Sequence, residues 1–140
     1  MPQASVEIRV PFSDVDSSGR IHFTAMFRYM EAAEHELMRA IGFPYATALS
    51  GAAMPRVHLE CDFRASVVYD DELDVTARVA QVGASSWTVA FTARRASSPR
   101  AEAEIGEVVA EGRMTIVSMD PSTERATPIP LELRRALAAD

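Results

Sequence analysis

The sequence has one cysteine, no lysine and no long hydrophobic run. A lone Cys61 excludes an intrachain disulfide, and His22, His35 and His58 are too few beside it to build a cysteine-rich zinc centre. A reducing, cytoplasmic setting is expected. No stretch approaches the roughly 20 apolar residues that span a bilayer. The opening MPQASVEIRV lacks a basic segment followed by an apolar one, so neither a membrane span nor a secretory signal is expected. All 14 basic residues are arginine, and against 20 acidic ones they leave a formal net charge of -6. That balance argues against non-specific binding to nucleic acid or to an anionic membrane, because both need clustered positive charge.

What is present describes one ordinary globular domain over residues 1–140, with 48% hydrophobic and 24% charged residues. Val6, Ile8, Val10 and Phe12 fall on alternate positions, the pattern of a strand with one buried face. From about Thr24 to Ile41 the period changes: Met26, Met30, Ala33, Leu37 and Ile41 form a helical stripe, with Arg28, Glu31, Glu34, His35 and Arg39 on the other face. Gly42 is placed to cap this helix and Pro44 to prevent its continuation. The segment FPYATALSGAAMP reads as a loop. Period two then returns around Val57–Phe63, Leu73–Val79, Trp87–Ala93 and Ala103–Met119, separated by YDDE, VGASS and RASSPRAE turns. A proline-punctuated tail ends in a short helix with Pro130 at its first turn. One strand, one long helix and four further strands predict an α+β domain with an antiparallel sheet against the helix. A single helix covers one side only, so a second subunit is expected to cover the remaining apolar area.

The stretch FSDVDSSGRIHF carries the chemistry. In a turn, Asp14 and Asp16 accept free backbone N–H groups, and that reading needs no catalysis. The functional reading rests on position. A carboxylate just ahead of a helix N-terminus faces unpaired N–H donors and the positive end of the helix dipole, where charge developing on a carbonyl oxygen is stabilised. A thioester suits such sparse machinery. Its leaving thiol has a pKa of about 8.5 and departs without a general acid, so one carboxylate suffices, either as base toward water or as nucleophile.

VPFSDVDSSGRIHFTAMFRYMEAAEHELMRAIG resembles the N-terminal signature of hot-dog fold thioesterases of the 4-hydroxybenzoyl-coenzyme A type, in which an acidic pair and a glycine precede an acid-bearing helix. YDDELDVTARVAQVGASSW and TPIPLELRRAL resemble later segments of that family, so the similarity runs over nearly the whole chain. The resemblance implies a hot-dog fold, a five-stranded antiparallel sheet wrapped around one long helix. It also implies two subunits that pair their sheets, with the site at their interface. It places Asp16 as the catalytic carboxylate, Asp14 as a turn residue, the backbone N–H of Phe23 as the group polarising the carbonyl, and Glu31 as the helix acid. The chain departs from many relatives at Phe23, Ala25 and Met26, which are apolar where those have histidine or tyrosine, asparagine and tyrosine. An aryl substrate is therefore not carried over. Gly83, Ala84 and Ser85 occupy a turn that is basic in some relatives.

His22, Thr24, Met26 and Glu31 are expected to contact substrate around the two catalytic positions, and Arg94 and Arg95, with Arg100 nearby, to meet coenzyme A phosphates. No metal and no cofactor beyond the coenzyme A of the substrate are expected. The expected assembly is a homodimer, with a homotetramer open. Acyl-coenzyme A is preferred over acyl carrier protein, which would favour a basic docking patch; a non-catalytic acyl-thioester-binding or scaffold protein is the alternative. Ser50-Gly51 does not complete the G-x-S-x-G elbow of serine hydrolases.

Overall fold

The computed structural model describes residues 1–49 and 51–140; Ser50 lies outside them. Strand β1 (Gln3–Arg9) is followed by a 3-10 turn over Phe12–Asp14, then helix α1 (Phe23–Ala40). Four long strands come next: β2 (Arg56–Phe63), β3 (Glu72–Val82), β4 (Ser86–Ser97) and β5 (Val108–Val117). A small hairpin of β6 (Met119–Asp120) and β7 (Arg125–Ala126) leads to helix α2 (Leu131–Ala138). The long strands form one antiparallel five-stranded sheet in the order β1-β3-β4-β5-β2, so the α+β arrangement expected from the sequence is present. None of the described helices is long and apolar enough to cross a membrane.

Alternation along the strands builds the core. Leu73, Val75, Ala77 and Val79 of β3 and Trp87, Val89, Phe91 and Ala93 of β4 are buried on the sheet face that meets α1. The helix answers with Met26, Met30, Ala33 and Leu37, all buried. Gly42, at φ +88, takes the left-handed position after the helix, and the N–H of Phe43 closes onto the Met38 carbonyl at 2.8 Å.

Four expectations are corrected. Phe12 does not continue the buried face of β1. Pro11 offers no N–H to a ladder, the chain leaves the sheet, and Phe12 is 75% exposed against the edge of Tyr69. Glu34 is not on the solvated side of α1. It lies one turn from Met30 on the inner stripe, buried, and its charge is tolerated because the Tyr45 hydroxyl at 2.6 Å and the Arg56 guanidinium both donate to it. Val57, Leu59 and Phe63 are exposed, since β2 pairs only with β5 at the sheet edge while α1 packs over β1 and β3. The last long strand begins at Val108 and not near Ala103, because residues 101–106 turn through Gly106 at φ +88.

Gly112 of β5 leaves no room for a side chain between the neighbouring strand and the helix. A Cβ there would stand 2.8 Å from the backbone oxygen of Glu60 and 3.1 Å from the Met30 thioether. The methionine can move, but the Glu60 carbonyl belongs to the neighbouring strand. Gly112→Ala is therefore expected to destabilise the fold by about 1–3 kcal/mol, as overpacking does, measured by urea unfolding. An unchanged midpoint would show that β2 shifts freely.

Candidate active site

Asp14 and Asp16 have separate roles in the structure. Asp14 is buried beneath α1, where one carboxylate oxygen accepts from Arg28 Nη2 at 2.7 Å and the other from the Tyr29 hydroxyl at 2.6 Å. The Arg28 hydrogen bond holds this carboxyl below its ordinary range even though burial opposes it. Burial, helped by the same carboxylate, pushes the Tyr29 phenol well up. The Asp14 carbonyl also accepts the His22 N–H at 2.8 Å. Asp14 is thus the structural member of the pair.

Asp16 sits in a tight hairpin closed by a single antiparallel bridge between Val15 and Ile21. Its N–H donates to the Arg20 carbonyl at 2.9 Å, and its carbonyl accepts the N–H of Gly19, which stands at φ +80. The side chain is exposed. One of its oxygens accepts from both the N–H and the hydroxyl of Ser18, at 2.8 and 2.5 Å, and these bonds hold the carboxyl below its ordinary range. It is an ionised base at neutral pH.

The helix start supplies the complementary donor. His22 caps α1: its Nδ1 accepts the Thr24 N–H at 3.4 Å and lies 2.7 Å from the Thr24 hydroxyl. The Ala25 N–H reaches the His22 carbonyl at 2.9 Å, and the His22 N–H is taken by Asp14. Phe23, the first helical residue, sits between these, and among the described residues none accepts its N–H. This is the unpaired donor that a helix N-terminus leaves.

Beside it opens a cleft of about 130 Å³ whose apolar wall is Ile21, Phe23, Met26, Phe63, Val67 and Val109. Arg20 and Ser66 form its polar edge, joined by a bond from Arg20 Nε to the Ser66 hydroxyl at 3.2 Å. Met26, at the back of the cleft wall, is fully buried in the core. His22 and Thr24 stand exposed at the helix start. Asp16 does not line the cleft in the single chain, and neither does Glu31, which is exposed one side of the helix over. Arg94 is exposed on the outer sheet face and donates to the Gly106 carbonyl at 3.1 Å.

Arg95 is corrected outright: it is 2% exposed and turned inward, its guanidinium engaged by Asp71, Glu107 and the Ser66 carbonyl, so it is not a surface phosphate contact. Phe63, Ala65, Ser66, Val67 and Val109 were not foreseen as cleft residues. They come from the end of β2, the β2–β3 connection and the start of β5, and no spacing in the sequence connects them to residues 16–26. Among the described residues, no group of His, Cys, Asp and Glu is arranged to hold a metal ion.

Comparison with known proteins agrees with this architecture. A 1,4-dihydroxy-2-naphthoyl-CoA hydrolase of Prochlorococcus marinus is 32% identical over 95 residues, 61% of this chain and 61% of its own length. A relative from Aquifex aeolicus is likewise spanned over 66% of its length. The chain therefore spans less than two thirds of these curated relatives. Among solved structures, a 1,4-dihydroxy-2-naphthoyl-CoA thioesterase from Synechocystis superposes with a TM-score of 0.84 at 19% identity, covering 96% of this chain and 95% of that one. The 4-hydroxybenzoyl CoA thioesterase from Pseudomonas sp. strain CBS-3 gives 0.82 at 18% identity, covering 97% and 99%. At those identities the likeness carries the fold alone: a hot-dog sheet around its helix. The family model described as Thioesterase-like superfamily matches residues 10–137, nearly the whole of the helix and sheet built up above, and the chain belongs to that superfamily.

Proposed function

We propose that this chain hydrolyses an acyl-coenzyme A thioester, with Asp16 as the catalytic carboxylate and the Phe23 N–H as the carbonyl-polarising donor. The observation that carries this reading is the state of the α1 N-terminus. The amides of His22, Thr24 and Ala25 are engaged and that of Phe23 is left over, beside an apolar cleft and one hairpin away from an ionised acid. The names of the relatives, which act on coenzyme A thioesters, point the same way. A carbonyl oxygen bound to the Phe23 N–H gains the helix dipole as its negative charge grows. Asp16 then either takes a proton from water as the water oxygen attacks the carbonyl carbon, or attacks that carbon itself. In both routes the C–S bond breaks and the thiolate leaves with the electron pair; in the second, water then cleaves the acyl–Asp16 anhydride to release the acid and restore the carboxylate.

His22, Thr24 and Met26 are the substrate contacts around this centre, and Glu31 contacts substrate from the helix. Of the two arginines expected at the phosphates, Arg94 alone has an exposed guanidinium for that role. The working unit is a homodimer. The β2 edge shows apolar Val57, Leu59 and Phe63 together with an unpaired ladder of backbone groups, a combination that a second β2 covers. Because Phe63 also lines the cleft, that pairing brings the second chain to the cleft mouth and encloses the space beside Asp16.

Asp16→Asn removes the base and keeps the shape. Turnover of an acyl-coenzyme A panel is expected to fall by about a hundredfold or more, with the circular dichroism spectrum unchanged. Wild-type turnover in that variant would move the chemistry elsewhere. The pH profile gives a second check. The folded-state pKa of Asp16 lies below the ordinary 3.8, so the base stays ionised at every pH above that value and kcat/KM should be level from about pH 5 to 7. An acid limb centred inside that window would assign the base to another group. For the assembly, wild-type protein is expected to sediment as a dimer and Leu59→Arg as a monomer with depressed turnover; a monomeric wild type would refute the β2 interface.

A further inference from the structure

Behind the cleft wall lies a second charged cluster that the chemistry above does not use. Asp71, fully buried at the head of β3, accepts from the Ser98 hydroxyl at 2.5 Å and from the Val68 N–H at 3.1 Å, and faces Arg95 Nε at 3.5 Å and Arg100 Nη2 at 3.4 Å. Arg95 reaches Glu107 and the Glu104 carbonyl with one arm. Its other arm donates to the Ser66 carbonyl at 2.5 Å, and Arg100 donates to the same oxygen at 3.2 Å. Two guanidinium groups therefore converge on one backbone oxygen in the cleft wall.

That wall is also what the Asp16 hairpin leans on. The Ile21 N–H donates to the Val67 carbonyl at 2.9 Å, Arg20 and Val68 form a single bridge, and the Tyr69 N–H reaches the Gly19 carbonyl at 3.4 Å. On its far side the segment is tied to β1, with Asp70 donating to Val10 at 3.0 Å and Val10 to Asp71 at 2.9 Å. Among the described residues the hairpin makes no such ladder to any other strand of the sheet. Beside the Asp14 contacts to α1, residues 66–69 are its second anchor, and Asp71, Arg95 and Arg100 hold that segment in place.

We infer that Arg95, held by Asp71, is a positioning residue for the reaction: it fixes the Ser66–Tyr69 segment and through it the distance between the Asp16 carboxylate and the Phe23 N–H. This rests on the reading of Asp16 and Phe23 given under Proposed function. A residue that merely holds the β4–β5 loop would affect stability alone. A positioning residue affects kcat more than KM, because a small misplacement of the base costs rate while the acyl cleft still binds.

The test uses the full chain carrying Arg95→Lys, Arg100→Met, Asp16→Asn or Ile116→Val. It measures kcat and KM for acetyl-, octanoyl- and benzoyl-coenzyme A by thiol release, together with residue-resolved amide exchange. Lysine keeps a charge beside Asp71 but cannot fork to the Ser66 carbonyl. For Arg95→Lys, kcat is expected to fall about tenfold with KM within about twofold, and exchange at Ile21 and Tyr69 to quicken while β3 and β4 amides stay protected. Arg100→Met removes the second donor to Ser66 and the more exposed of the two guanidinium groups facing Asp71, leaving Arg95 in place, so it folds even if Arg95→Lys does not; a loss of about threefold in kcat is expected. Ile116→Val trims the core on β5, away from the network, and lowers the melting temperature without altering kcat. Wild-type kcat and wild-type Ile21 exchange in the folded arginine variants would overturn the inference, as would kcat losses no larger than those of Ile116→Val at equal loss of stability. Failure of the underlying reading looks different: Asp16→Asn turns over like wild type, or wild type hydrolyses none of the three esters, while Ile21 exchange still quickens in Arg95→Lys.

Discussion

The buried carboxylate of Asp14 makes the acidic hairpin and the long helix one mechanical unit. Its side chain holds Arg28 and Tyr29 on α1, and its carbonyl holds the amide of His22 at the helix cap. The helix cannot rotate about its axis or slide along it without breaking these contacts. That restraint decides where the first free N–H of α1 points, the donor to which the proposed chemistry docks a carbonyl oxygen. Asp16, two residues further on, stays exposed in the hairpin that Gly19 closes at φ +80 instead of following Asp14 inward. An acid pair that looks redundant in the sequence is divided between Asp14, which holds the helix, and Asp16, the exposed carboxylate of the proposed chemistry.

The interior charge is handled throughout by arginine, which gives the absence of lysine a physical meaning. Three carboxylates are removed from water: Asp14, Glu34 and Asp71. Each faces a guanidinium, from Arg28, Arg56 and from Arg95 with Arg100. A buried acid is tolerated only when its lone pairs are met on several sides. The planar fork of arginine can meet a carboxylate and a backbone carbonyl at once, as Arg56 does with Glu34 and Met54, and Arg95 with Glu107 and Ser66. The compact ammonium of lysine satisfies such split geometry less well.

What was legible in the sequence follows from the range of the interactions. Helix α1, its Gly42 cap and the alternating faces of β3 and β4 are set by neighbours within a few residues, and they stand where periodicity placed them. The helix-start position of Phe23 was legible for the same reason, whereas the contacts of Asp14 were not, because its partners Arg28 and Tyr29 lie 14 and 15 residues away. Glu34 and Arg95 were misread because a charged residue is taken as solvated until its partner is known. Their partners Arg56, Asp71 and Ser66 lie 22 to 29 residues away. The alternating pattern of β2 was visible too, but which strand occupies an edge is a property of the whole sheet order. Phe63 therefore looked like core when it is the lip of a cleft.

The edge and the chemistry meet at that lip. In one chain the cleft is open, Asp16 faces water, and β2 presents apolar side chains beside unpaired backbone donors and acceptors, an arrangement that a stable protein covers. In the proposed dimer, a second β2 satisfies the backbone and at the same time excludes water from the proposed reaction centre, which strengthens a single N–H donor far beyond its worth at an open surface. With one base and one donor, the proposed machinery has nothing dedicated to protonating a leaving group. It is matched to a bond whose departing atom is stable as an anion near neutral pH. Sulfur in a thioester meets that condition, whereas the nitrogen of an amide does not, so the economy of the site itself restricts the class of bond it can cleave.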